Sequence, residues 1–104
     1  MRGSYRMMDW EIEKWRTRIF HDIEKLLCGV EAKIDYSAED ICPYNIETIL
    51  TEHLDYVLTD EEVNNHDFWF NFKNPNTNVE IIVFVDVMNF EFEMYLPERD
   101  GEEW

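Results

Sequence analysis

Three features of the chain predict an α+β fold, in which two helices pack on one face of an antiparallel sheet of three to four strands in the order α-(β)-α-β-β-β. Apolar residues recur at helical spacing twice in the first half, period-two alternation takes over from Phe68 onward, and dense turn chemistry separates the later segments. The length of 104 residues suits a single domain that buries its own core without metal or disulfide staples.

Residues 9 to 28 read as the first helix. Asp9 is placed to cap it, Ile12, Trp15, Ile19, Ile23, Leu26 and Leu27 fall three and four apart, and Gly29 supplies the stop. From Val30 to Tyr36 the pattern alternates, Val30, Ala32, Ile34 and Tyr36 against Glu31, Lys33 and Asp35, which suits a short strand. Residues 37 to 42 read as a connecting loop. Pro43 then fits the first turn of a second helix, where its missing N–H costs nothing. Ile46, Ile49, Leu50, His53, Leu54, Val57 and Leu58 form the apolar stripe of that helix, which carries it to about Thr59 and makes His53 a core histidine. The polar run from Thr59 to Asp67 reads as a solvated acidic loop. Phe68, Phe70 and Phe72 alternate with Trp69, Asn71 and Lys73. NPNTN at 74–78 is a turn, and VEIIVFVDV and NFEFEMYL continue as two further strands. Residues 1–8 are expected to form a flexible arm and residues 97–104 an acidic tail.

Strand parity divides the sheet into two faces. If Phe68, Phe70, Phe72, Ile81, Val83, Val85, Val87, Phe90, Phe92, Met94 and Leu96 meet the helices, the opposite face carries Trp69, Ile82, Phe84 and Tyr95 among Glu80, Asp86, Glu91 and Glu93. An aromatic centre with a polar rim is the usual composition of a protein interface.

Charge is unevenly distributed along the chain. Residues 1–33 hold seven basic and six acidic residues, a balance of +1. Residues 34–104 hold only Lys73 and Arg99 against eighteen acidic ones, a balance of −16, and the whole chain stands at −15. A field of that sign repels nucleic acid and anionic membranes and attracts basic surfaces. No stretch approaches the roughly 18 apolar residues of a membrane span, and no apolar run follows the N-terminal arginines. A cytoplasmic protein is therefore expected, in the host cytoplasm if a phage encodes it.

Signatures of catalysis and cofactors are missing. The three glycines (Gly3, Gly29, Gly101) build no phosphate-cradling loop, and Ser4 and Ser37 sit in no nucleophile elbow. Cys28, Cys42, His53 and His66 lack the close ligand pairs of structural zinc sites, and the two cysteines are read as free thiols. Asp60, Glu62 and Asn64 imitate the first positions of a calcium loop, yet Asn65 and Asn71 stand where that loop needs Gly and Glu. No metal, no cofactor and no enzymatic activity are expected.

Carboxylates two apart on a strand lie about 6.6 Å from one another, close to the spacing of successive phosphates on a nucleic-acid strand. Trp69, Glu80, Ile82, Phe84, Asp86, Glu91, Glu93 and Tyr95, with Glu98 and Asp100 beyond, are accordingly the expected partner-binding residues, Glu102 and Glu103 extending the acidic track. The expected function is that of a small acidic inhibitor masking the basic nucleic-acid-binding surface of a target protein, a nucleic-acid mimic of the anti-restriction or anti-CRISPR type. Two alternatives share the composition: an immunity protein neutralising a cognate toxin nuclease, and a regulatory homodimer formed through the aromatic sheet face.

Overall fold

The computed structural model describes residues 7–97. Helix α1 (Asp9–Leu27) is followed by β1 (Lys33–Ser37), α2 (Pro43–His53), β2 (Val57–Val63), β3 (Asp67–Lys73), β4 (Glu80–Asp86) and β5 (Glu91–Tyr95). The class is α+β, with two helices and one antiparallel sheet of five strands in the order β1-β5-β4-β3-β2. Strands β2 to β5 form a meander of successive hairpins, and β1, arriving between the helices, pairs with the last strand.

Helix α1 buries Trp15, Ile19, Asp22, Ile23 and Leu26 along one stripe. Leu27, expected on that stripe, lies a third of a turn beyond Leu26 and is exposed. The cap residue is Met8 rather than Asp9: the Met8 N–H donates to Glu11 Oε1 at 2.9 Å, and Asp9 stands in the first turn, where its charge suits the helix dipole. The end is as expected. Gly29 adopts φ +78°, the Gly29 N–H donates to Leu26 O, and the Val30 N–H donates to Lys25 O. Met7, placed in the arm by the sequence, packs against the core.

The second helix is shorter than the periodicity predicts. It stops at His53 because Asp55 turns into the left-handed region (φ 68°) and the Tyr56 N–H reaches back 2.9 Å to Leu50 O. Val57 and Leu58, which match the helical spacing of α2, open strand β2 instead. The segment expected as an acidic loop is thus β2, the tight turn 64–66 and the start of β3. The sheet gains a strand beyond the three to four expected, and His53 is exposed rather than buried in the core. Strand β2 carries Asp60, Glu61 and Glu62 in succession and shows none of the alternation that marks a half-buried strand.

The core lies between the helices and the inner sheet face. Phe70, Phe72, Ile81, Val83, Val85, Phe92 and Met94 are buried there with Tyr36, while Phe68 and Leu96 pack at its margin. Two residues expected in it are not. Val87 and Phe90 belong to the β4–β5 turn (87–90), both are exposed, and Phe90 has φ 57°. The turn is tied by Asp86, whose Oδ1 accepts the N–H groups of Met88 (3.2 Å) and Asn89 (3.4 Å).

Buried polar groups fasten these layers. The Asn74 Nδ2 donates to Leu54 O at 3.3 Å and its Oδ1 accepts the Asn76 N–H at 2.8 Å, joining the end of α2 to the β3–β4 turn.

Candidate functional site

Antiparallel pairing carries rows of side chains straight across the outer sheet face. One row crosses all five strands as Glu62, Trp69, Phe84, Glu93 and Asp35. The next runs Asp60, Asn71, Ile82, Tyr95 and Lys33. Asp67, Asp86 and Glu91 form a third with Ser37, and Lys73 opposite Glu80 begins a fourth.

All eight described residues of the expected site (Trp69, Glu80, Ile82, Phe84, Asp86, Glu91, Glu93 and Tyr95) therefore share this face. Glu98 and Asp100 lie outside the described residues, as do Glu102 and Glu103. Pairing adds four carboxylates that the sequence reading missed: Asp35 from β1, Asp60 and Glu62 from β2, and Asp67 from β3. No sequence signal could have placed the first three, since each depends on which strand lies beside which.

The centre of the face is apolar. The rings of Trp69 and Phe84, directly opposite one another, stand 4.9 Å apart at 48°. Ile82 and Tyr95 occupy the adjoining row, and the Tyr95 hydroxyl lies within hydrogen-bonding reach of the Trp69 side chain. Partial burial raises the Tyr95 hydroxyl above its usual pKa, and in the contact with Trp69 the indole N–H donates and the hydroxyl oxygen accepts. All four side chains are half-buried.

The rim carries two lysines, Lys73 opposite Glu80 and Lys33 on β1. Lys33 Nζ lies 2.9 Å from Glu93 Oε1 and 3.6 Å from Asp35 Oδ1, and the hydrogen bond and charge of Glu93, followed by the charge of Asp35, raise its pKa. Beside it a groove of about 470 Å³ is lined by Asp35, Asp40, Phe84, Asp86, Glu91 and Glu93 among others. Asp86 also spends both carboxylate oxygens on the β4–β5 turn, its Oδ2 accepting from Asn89 Nδ2 at 2.7 Å. The carboxylates surround the aromatic centre instead of running past it in a single line.

Among the described residues, no group of three or more His, Cys, Asp and Glu side chains is placed to hold a metal ion, and no helix is long and apolar enough to cross a membrane. Cys28, exposed, and Cys42, half-buried, are free thiols. Comparison of the chain with protein-family models, with curated proteins and with solved structures returns no match.

Proposed function

We infer that this protein is a small, non-enzymatic acidic inhibitor that binds the basic nucleic-acid-binding surface of a target protein and masks it. The observation that carries the reading is the outer sheet face. Eight carboxylates surround Trp69, Phe84, Ile82 and Tyr95, while Lys33 and Lys73 are the only Lys or Arg in those rows and Lys33 is already engaged by Glu93. Opposite charge speeds encounter with a cationic surface and displaces its nucleic acid, and desolvated aromatics at the centre supply the contact energy. The setting that fits is the cytoplasm, a host's if the gene is carried by a phage. The ring-like placement of the carboxylates favours one variant of this reading, an immunity protein with a single cognate nuclease, because a compact centre suits one partner better than a linear track does.

The immobilised protein is incubated with host lysate, eluted with a salt gradient, and the capture is repeated with duplex DNA as competitor. The mimic reading expects a nucleic-acid-binding protein that DNA displaces and that the Glu91→Lys/Glu93→Lys variant fails to retain. Retention that survives both DNA and charge reversal would sink it. A single partner that resists DNA yet is lost on charge reversal would favour the immunity protein.

A further inference from the structure

The chain carries its own complement to the acidic face. Four of the six Lys and Arg residues in the described region lie on α1, and Lys14, Arg18 and Lys25 fall with His21 at intervals of four, three and four, one continuous ridge along the helix. All four side chains are exposed. Two carboxylates meet the ridge, Asp22, buried, 3.7 Å from Arg18 Nε and 4.0 Å from Lys25 Nζ, and Glu24, 3.4 Å from His21 Nδ1, so Lys14, Arg18 and Lys25 still leave it an excess of positive charge. Trp10, 64% exposed, stands one turn before Lys14 on the same side.

The dimensions agree. The eleven helical steps from Lys14 to Lys25 span about 16 Å. The sheet row from Glu62 to Asp35 crosses four interstrand gaps, about 19 Å. A helix laid along that row sets its cations against Glu62 and Glu93.

The ridge and the acidic face lie on opposite layers of the fold, so neither can satisfy the other within one molecule. A two-fold pair cannot match them either, because a self-complementary interface uses the same patch on both copies. We propose that a second copy of this chain docks head to tail, the α1 ridge of one molecule on the acidic sheet face of the next, and that this assembly regulates access to the face. The proposal rests on the reading of that face as a site for a basic protein surface. Assembly stores the protein with its binding face covered, and dilution or a tighter-binding partner releases it by mass action.

The experiment measures mass by sedimentation over a range of protein concentrations in about 0.15 M and about 1 M NaCl. Four proteins are compared: wild type, Lys14→Gln/Lys25→Gln, Glu91→Gln/Glu93→Gln, and an equimolar mixture of the two variants. The expected result is a wild-type mass that rises past the dimer with concentration at the lower salt and returns to the monomer at the higher. Each variant alone stays monomeric. The mixture forms a 1:1 pair and stops there, since each member retains only one of the two surfaces. A wild type that is monomeric throughout, a mixture that stays monomeric, or a mass that keeps rising at 1 M salt would overturn the proposal.

Titration with poly-L-lysine separates this outcome from the fate of the underlying reading. If self-association is absent but poly-L-lysine binds wild type and Lys14→Gln/Lys25→Gln alike and binds Glu91→Gln/Glu93→Gln roughly tenfold more weakly, head-to-tail assembly falls and the acidic site stands. Equal binding to all three would remove the site itself.

Discussion

The Tyr36 hydroxyl donates a 2.6 Å hydrogen bond to Asp22 Oδ2, and both side chains are buried. This contact joins edge strand β1 to the middle of α1. Around it Tyr36 stacks on Phe92 with centroids 5.2 Å apart, and the Arg18 guanidinium covers the Trp15 ring at 4.9 Å and the Tyr36 ring at 5.6 Å. A carboxylate on the buried stripe of a helix is tolerable because a hydroxyl and two cations meet it there. Tyr36→Phe removes the donor and leaves Asp22 with cations alone. A loss of about 2 kcal/mol is expected, a figure typical of hydrogen bonds to charged groups, seen as a lower midpoint in urea with an unchanged slope.

The same contact sets the response to alkali. Burial, then the hydrogen bond to Asp22, holds the Tyr36 hydroxyl well above its ordinary value of 10.0. The folded chain therefore keeps a proton that the unfolded chain releases above about pH 10, so the stability is intact below that value and falls as the pH climbs past it. Melting curves between about pH 9 and pH 11 should show a shallower decline for Tyr36→Phe than for wild type. Some decline should persist, because burial also raises Tyr56 and Tyr95. Parallel slopes would remove Tyr36 as the cause.

Phe90 holds a left-handed conformation (φ 57°) in the β4–β5 turn while 66% exposed. Such a residue carries backbone strain and recovers little by burial. Phe90→Gly is expected to stabilise the fold by about 1 kcal/mol, which thermal melting would register as a rise of a few degrees. A fall would mean that the ring packs in a way its exposure does not suggest.

Asn74 is the other buried polar fastener. Asn74→Ala removes its bonds to Leu54 O and the Asn76 N–H, and the Leu54 carbonyl loses its side-chain donor. A cost of about 2 kcal/mol is expected, with hydrogen exchange accelerating at the end of α2 before it does so in β4.

Salt should stabilise the protein. With 24 acidic residues against nine basic ones, repulsion among carboxylates opposes the compact state, and ions screen it. A rise in the melting temperature of a few degrees is expected between about 10 mM and about 200 mM NaCl, at a concentration low enough to keep the protein monomeric. An unchanged temperature would mean that ion pairs such as Lys33–Glu93 already neutralise the destabilising part of the charge.

The elements legible in the sequence were those whose burial leaves a period. The stripe Trp15, Ile19, Ile23, Leu26 and the alternation through Phe70, Phe72, Ile81, Val83, Phe92 and Met94 each report one covered face, so helix α1 and strands β3, β4 and β5 could be read directly. Strand β2 could not. It lies at the sheet edge, and Val57 and Leu58 happen to extend the helical spacing of α2 until Asp55 breaks the backbone geometry. Three of the eight rim carboxylates were hidden for a related reason: Asp35, Asp60 and Glu62 join the face only through the pairing of β1 with β5 and of β2 with β3.

Strand β2 has one further consequence, for solubility. The hairpin bond from the Asn64 N–H to Asp67 O fixes the alternation of the ladder, so Glu61 and Val63 turn their main-chain groups outward along the open edge of the sheet. Asp60 Oδ1 accepts the Glu61 N–H at 2.9 Å, stopping one of those donors, and three successive carboxylates repel a second edge of the same kind. That guard is electrostatic and lasts only while the three side chains carry charge. Stripped of those charges in Asp60→Asn/Glu61→Gln/Glu62→Gln, the edge becomes a template flanked by Val57 and Val63, and light scattering of that variant should report edge-to-edge fibrillation, a hazard that the wild-type chain escapes through three adjacent side chains.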